Sequence, residues 1–345
     1  MACGVRGCPR PAFQRQRGGG AKRGPLVLSQ RLPGTSFSMN PYKAILFTLI
    51  SSMLFAAMSA LVRFLGETFP VGQIVFFRAA FAIVPVFVIF TFRGELAAMV
   101  RTRRPFGHIG RGMFSVGGMF LNFASLARLP LIDATAISFT SPLITVVFSA
   151  IFLKEKVRLY RWSAVIVGFI GVIVMLWQQF DLSRYANMAN AAVAASAIGA
   201  ICGLLGATFN AGAVIQTRRL TGSETTSSIV FYFSLICAIA GLATLPLGWT
   251  MPTPLQLTAL IATGFIGGLS HIFLTESYRH APQSVVAPFN YSTMLWAVIF
   301  GYVFLSEVPT PMVLAGAAIV AAAGLFVVFR ERQLGKREID VPPAP

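Results

Sequence analysis

Apolar runs of about 18 to 25 residues, set apart by short polar breaks, follow one another along most of the chain. A run of that length, wound as an α-helix rising ~1.5 Å per residue, crosses the ~30 Å of hydrocarbon in a bilayer. The pattern predicts ten spans, at residues 44–66, 73–92, 109–128, 131–153, 160–178, 193–217, 227–248, 255–278, 283–304 and 310–329. Only the tight break "RLPL" (128–131) separates the third from the fourth, so the topology depends on it. The fold class is an all-α integral membrane protein. Composition agrees: of 345 residues 56% are hydrophobic and 11% charged, with a mean hydropathy of +0.73, which is no water-soluble surface.

A formal charge of +17 suggests nucleic acid at first sight. The basic residues are arranged otherwise. Those of the N-terminal tail (Arg6 to Lys43), loop 2–3 (Arg93, Arg101, Arg103, Arg104), loop 4–5 (Lys154, Lys156, Arg158, Arg161), Arg218, Arg219, Arg279 and the C-terminus (Arg330 to Arg337) fall on one side. Arg128 and Arg184 fall on the other, and Arg63, Arg78 and Arg111 lie within spans. By the positive-inside rule both termini are cytoplasmic, and no nucleic-acid partner is implied. The expected partners are the lipid bilayer and a small-molecule substrate, with a homodimer left open. The cysteines Cys3, Cys8, Cys202 and Cys237 have no metal-ligand spacing and read as free thiols, so neither metal nor cofactor is expected.

Residues 1–42 form a basic tail rich in Gly, Pro and Arg, expected to be disordered and lacking the apolar core of a secretory signal. Met39, just before "NPYKAILF", is an alternative start, on which the preceding residues would be a gene-calling artefact. Residues 331–345 read as a cytoplasmic tail.

Aligned with itself, the chain is a duplication. "IVFFR" (74–78) and "IVFYF" (229–233) lie 155 residues apart, as do Arg63 and Arg218; "FLKE" (152–155) and "FLSE" (304–307) lie 152 apart. The unit is five spans long, giving repeats at 43–178 and 193–330. Because five is odd, the second copy enters from the opposite face, and the halves are inverted repeats, an architecture typical of secondary transporters with a midplane site.

Polar residues at helical spacing should turn away from lipid. Ser138, Ser141 and Thr145 share one face of span 4; Asn290 and Thr293 occupy the first two equivalent places of span 9. Span 3 carries Ser115, Gly118, Asn122 and Ser125, and span 6 carries Ser196, Gly199, Gly203, Gly206 and Asn210, stripes that suit helix packing as well as a cavity wall. Phe139, Tyr291 and Trp296 could stack on a planar ligand or simply pack. Pro142 and Pro288 interrupt spans 4 and 9 in mid-membrane.

Arg78, in "VGQIVFFRAAFAIVPVF", either anchors at the outer surface or faces an aqueous cavity, where it would attract an anionic or carbonyl-bearing substrate. Arg63 with Glu67 and Glu276 with Arg279 read as local ion pairs, Arg111 as an inward snorkel, and Asp133 as a cap of span 4. His271 and Glu276 are the candidate proton-coupling residues, although five helical residues set them about 140° apart.

The ten spans, the duplication, the "FLKEK" and "FLSEV" ends of spans 4 and 9 and "VGFIGVIVML" resemble the drug/metabolite transporter superfamily, EamA type, over residues 43 to 330. The resemblance implies a cavity formed by spans 1–4 and 6–9, with spans 5 and 10 peripheral. Within the family, "RGMFSVGGMFLNFASLARLPLIDATAISFTSPLITVVFSAIFLKEKV" is similar to bacterial uptake proteins for riboflavin and for S-adenosylmethionine, and less so to amino-acid exporters.

The function this points to is secondary active transport of a small polar metabolite across a bacterial inner membrane, with riboflavin uptake first. S-adenosylmethionine uptake comes second, a cationic substrate being easier to reconcile with a cavity free of Arg78, and metabolite or drug export third. A membrane enzyme would need a side-chain cluster that His108, His271 and His280 do not form. An ATP-driven pump would need a phosphate-binding loop, which is absent.

Overall fold

The computed structural model describes residues 40–92, 94, 99–154, 157–177, 191–220, 223–281 and 283–339. Residues 1–39, with Met39, and also Glu155, Lys156 and Arg184, lie outside the described residues, while residues 40–42, expected in the tail, form the cap and first turn of α1. Regular structure among the described residues is helical throughout. The principal helices are α1 (Pro41–Leu65), α2 (Val71–Phe92), α3 (Pro105–Leu126), α4 (Leu131–Ser138), α5 (Thr140–Phe152), α6 (Leu159–Leu176), α7 (Ala191–Leu220), α8 (Thr226–Leu242), α9 (Pro254–His280), α10 (Gln283–Val286), α11 (Ser292–Leu305) and α12 (Pro311–Ile339).

Among the described residues, eight helical stretches are long and apolar enough to cross a membrane. The polypeptide is therefore a multi-pass membrane protein. Of the two remaining expected spans, α3 carries His108, Arg111 and several glycines, which lower its hydropathy, and the apolar part of α6, Leu159–Val174, falls short in length. The "RLPL" break is present: α3 ends at Leu126, α4 starts at Leu131, and Pro130 stands between them as the N-cap of α4. Asn40 caps α1 by accepting from the Lys43 N–H at 3.2 Å, ahead of Pro41. Thr253 and Gln256 form a capping box at the start of α9. α12 runs on to Ile339, beyond the last apolar turn at residue 329.

Spans 4 and 9 are broken where their prolines stand. In span 4 the helix is interrupted at Phe139, with Pro142 in the first turn of α5. In span 9 a 3₁₀ segment, Ala287–Tyr291, carries Pro288 between α10 and α11. A proline has no N–H to continue the ladder, and the carbonyls it strands need other donors. Beside the breaks, side-chain hydroxyls bond to other backbone carbonyls: Ser138 donates to that of Thr135 (2.6 Å), Thr140 to that of Ile137 (2.6 Å) and Thr293 to that of Asn290 (2.8 Å).

Helices of the first half pack chiefly on helices of the second: α3 on α7, α1 on α9, α6 on α12, and α2 on both α8 and α9. Small residues let two of these crossings close. A Cβ on Gly206 would lie 3.0 Å from the Asn122 backbone nitrogen, and one on Gly118 would lie 3.3 Å from Asn210 Oδ1, so the α3–α7 contact is reciprocal. At the α1–α9 crossing the hydroxyl of Ser51 donates to the Ser270 carbonyl, and that of Ser270 to the Ser51 carbonyl, both at 2.9 Å. Residues Ser38–Pro345 make one compact unit.

Candidate functional site

Arg78 lies seven residues beyond the start of α2 and is 4% exposed, so it faces the bundle. Its Nη2 donates to His271 Nε2 on α9 at 3.1 Å. A guanidinium has donors only, so Nε2 must accept, which makes this imidazole neutral with its proton on Nδ1. His271 is fixed from the other side by Phe55, edge to face at 4.9 Å. Arg78 Cζ stands 6.0 Å from the centroid of Phe233 on α8. The buried Nε and Nη1 of Arg78 have no hydrogen-bond partner.

Arg111 of α3 comes to the same ring, its Cζ 5.1 Å from the Phe233 centroid. It donates through Nε to Thr217 Oγ1 at 2.7 Å and through Nη1 to the Ile229 carbonyl at 3.1 Å, so α7 and α8 hold it rather than a membrane surface. Two guanidinium groups thus neighbour one phenyl ring, a cation–π arrangement. Among the described residues no carboxylate lies within ion-pair distance of either.

The other expected site residues are distributed more widely. Glu276 pairs with Arg279 at 3.0 Å, and no hydrogen bond joins it to His271, although both line a pocket of about 60 Å³ with Val86, Val230 and Thr275. Asn122 donates to the Gly118 carbonyl (2.9 Å) and with Asn210 occupies the α3–α7 crossing. Ser138 and Thr293 are engaged with their own backbone, and the Ser141 carbonyl accepts from Thr145 at 2.8 Å. The Asn290 carbonyl accepts from the Thr293 hydroxyl at 2.8 Å. Tyr291 stacks on Phe139, centroids 5.0 Å apart and planes 23° apart, with its hydroxyl against Gly324. Trp296 stacks on Phe300 at 5.9 Å. These aromatic faces already have neighbours. A cleft of about 400 Å³ between α1 and α11, lined by Ala57, Leu61, Phe64 and Phe300, is wholly apolar and offers nothing to orient a polar molecule.

Two carboxylates do more than the sequence indicated. Glu307 accepts the Leu131 N–H at 2.6 Å and Arg63 Nε at 3.0 Å, while Arg63 Nη1 keeps the expected bond to Glu67 at 3.0 Å. Glu307 therefore accepts an N–H at the start of α4, in whose first turn Asp133 is buried. Glu224, in the turn between α7 and α8, accepts the backbone N–H groups of Arg103 and Arg104 at 2.8 Å and the Thr102 hydroxyl at 3.1 Å, with His108 Nε2 at 3.6 Å. Burial pushes its carboxyl upward, but these bonds outweigh the desolvation and hold it below the ordinary carboxylate range. Phe233, Arg111, Glu307 and Glu224 were absent from the expected site. The one sequence signal was that Phe233 stands where the first repeat has Arg78.

The model of the EamA-like transporter family matches the chain twice, over residues 42–177 and 197–330. The chain belongs to the EamA-like transporter family. It is 31% identical over 283 residues to the pseudopaline exporter CntI of Pseudomonas aeruginosa, covering 81% of this chain and 93% of that one. It is 28% identical over 293 residues to the S-adenosylmethionine uptake transporter of Rickettsia conorii, covering 85% and 94%. With the riboflavin transporter of Rhizobium johnstonii it shares 28% over 303 residues, covering 86% and 95%. A crystal structure of another protein superposes with a TM-score of 0.59 at 16% identity, over 85% of this chain and 99% of that one, a likeness of fold alone. As an EamA-family protein the chain is a transporter and not an enzyme. The relatives include both uptake and export proteins, and those named for S-adenosylmethionine and riboflavin stand at equal identity.

Proposed function

We propose that this EamA-family protein is a secondary transporter that carries a small polar metabolite across the bacterial inner membrane by alternating access. Ten spans form two inverted repeats, and both termini are cytoplasmic. The observation that carries the reading is contact between repeat-equivalent residues. Arg78 and Phe233, 155 residues apart in the alignment, lie against each other, and so do Phe139 and Tyr291, 152 apart. Equivalent positions in two inverted copies touch only near the axis relating them, which supports a site and helix breaks near the middle of a pseudo-symmetric pair. Helix packing supports this: span 1 rests on span 8 as span 6 rests on span 3. Each copy can then take the other's conformation, opening the site to one side and then to the other.

Arg78, His271 and Arg111 make up the binding region, with Asn290 and Tyr291 at the span 9 break. Riboflavin is the first cargo to assay, since its carbonyls suit guanidinium donors, and S-adenosylmethionine the second. Export of a metabolite is favoured by the likeness to the pseudopaline exporter. The test is uptake of labelled riboflavin by a bacterial riboflavin auxotroph lacking its own importer, with and without this protein, and with unlabelled S-adenosylmethionine as competitor. Saturable uptake blocked by excess riboflavin alone supports riboflavin import. Absence of uptake by a membrane-inserted protein removes riboflavin and moves the assay to S-adenosylmethionine and to efflux.

A further inference from the structure

The geometry points to a more specific cargo: an organic anion, carrying a carboxylate or a phosphate, bound by Arg78 and Arg111 across the face of Phe233. The inference rests on the transport reading of the same site and adds the charge of what it carries.

Arginine keeps its proton in protein interiors, so both side chains are cations. A buried cation normally stands beside a carboxylate or other acceptors that compensate its lost hydration. Here the compensation is incomplete. Arg78 has one acceptor, the neutral His271, and its Nε and Nη1 have none, although the side chain is 96% buried. Arg111 has two neutral acceptors, Thr217 and the Ile229 carbonyl. Described carboxylates are engaged elsewhere: Glu67 and Glu307 on Arg63, Glu276 on Arg279, and Glu224 on the loop before α3.

The shared ring softens the repulsion between the two cations without neutralising it, since a cation–π contact contributes only about 0.5–2 kcal/mol. An oxyanion would meet two positive charges and donors already desolvated and fixed in place. Such charge-assisted bonds are roughly twice as strong as neutral ones. Gly267 lets α9 pack closely on Arg78, since a Cβ there would meet Met58 Sδ at 2.8 Å and Arg78 Nε at 3.4 Å. His271, which accepts from Arg78, also lines the pocket where α2, α8 and α9 meet. Riboflavin, with no ionised group at neutral pH, would leave the two cations uncompensated, whereas its 5′-phosphate or a carboxylate-bearing metabolite would not. S-adenosylmethionine would have to present its carboxylate to the arginines and hold its sulfonium away.

The test uses the full chain in detergent and three probes of one shape: benzoate, phenyl phosphate and the neutral benzamide. Affinities come from the ligand-dependent rise in melting temperature at constant ionic strength, for the wild type and for Arg78→Gln, Arg111→Gln and Arg78→Lys. The expected result is a dissociation constant at least about tenfold lower for one of the anions than for benzamide. Arg78→Gln and Arg111→Gln should each remove that preference and Arg78→Lys keep part of it; whichever anion is preferred identifies the group. Equal affinities, no binding by any probe, or a preference that survives both glutamine variants overturns the inference. Should Arg78→Gln fail to fold, Arg111→Gln and Arg78→Lys decide it. Binding is read without transport. A chain that prefers the anions yet moves nothing keeps this site and loses the transport reading, and one that moves riboflavin yet shows no preference does the reverse.

Discussion

Arg78 and Phe233 hold the same position in the two repeats and touch, guanidinium carbon to ring centroid, at 6.0 Å. The duplication has thus kept the place and changed the chemistry, a cation in one copy and its aromatic neighbour in the other. A site made this way is asymmetric, although the family model matches both halves of the chain.

A buried cation without a counter-ion is retained at a cost. On insertion scales a mid-membrane arginine is unfavourable by about 2.5–3.5 kcal/mol, and apolar residues of similar volume often replace buried charges without loss of stability. Arg78→Met should therefore leave the melting temperature in detergent unchanged or raise it. Transport in the same preparation should fall by more than about tenfold, as loss of a charge-assisted bond of ~1.5–3 kcal/mol implies. A variant that melts lower and transports normally would assign Arg78 to structure.

The hydroxyls at the two broken spans should matter less. Ser138 and Thr293 donate to their own backbone at 2.6 and 2.8 Å, beside the helix breaks. Ser138→Ala and Thr293→Val are expected to change initial transport rates by less than about threefold. A tenfold loss in either, with the protein still folded, would place that hydroxyl on the cargo.

Sequence carried the local features well. The "RLPL" break, eight of the ten spans and the pairs Arg63–Glu67 and Glu276–Arg279 all depend on neighbours within a few residues, where periodicity and spacing suffice. It did not show which way Arg78 turns, because snorkelling and burial have the same local sequence and differ only in what packs alongside. His271 and Phe233, the residues that decide it, belong to helices of the other half. Glu307 was missed for the same reason: its partner Arg63 is 244 residues away. The small-residue stripes were legible as faces, and only the packing of α3 on α7 revealed that Asn122 and Asn210 lie at a helix crossing.

Arg63 and Glu307 join the ends of α1 and α11 at 3.0 Å, with side chains 18% and 13% exposed. Glu307 also holds the first N–H of α4, so its removal strands two donors. Glu307→Gln should destabilise the protein by about 1–3 kcal/mol. A double-mutant cycle with Arg63→Gln in thermal unfolding should give a coupling of about 0.5–3 kcal/mol. Additive single effects would mean the ion pair contributes nothing.

Glu224 gives a pH dependence with a definite sign. Its carboxyl titrates below the ordinary value in the folded protein, so its contribution is complete above the unfolded value of about 4.3. That contribution is lost as the pH falls from there through the lower folded value. Melting curves in acidic buffers should show the wild type losing stability in that window and Glu224→Gln starting lower but falling less steeply. Parallel curves for the two proteins would remove Glu224 as the cause.

Alternating access around the shared ring can be tested without knowing the cargo. Phe233→Cys, in a chain whose Cys3, Cys8, Cys202 and Cys237 are replaced by serine, places one thiol between Arg78 and Arg111. Its labelling by a membrane-impermeant maleimide is then measured in right-side-out and in inside-out vesicles. The account predicts labelling from both sides; labelling from one side only, or from neither, in a folded protein would contradict it.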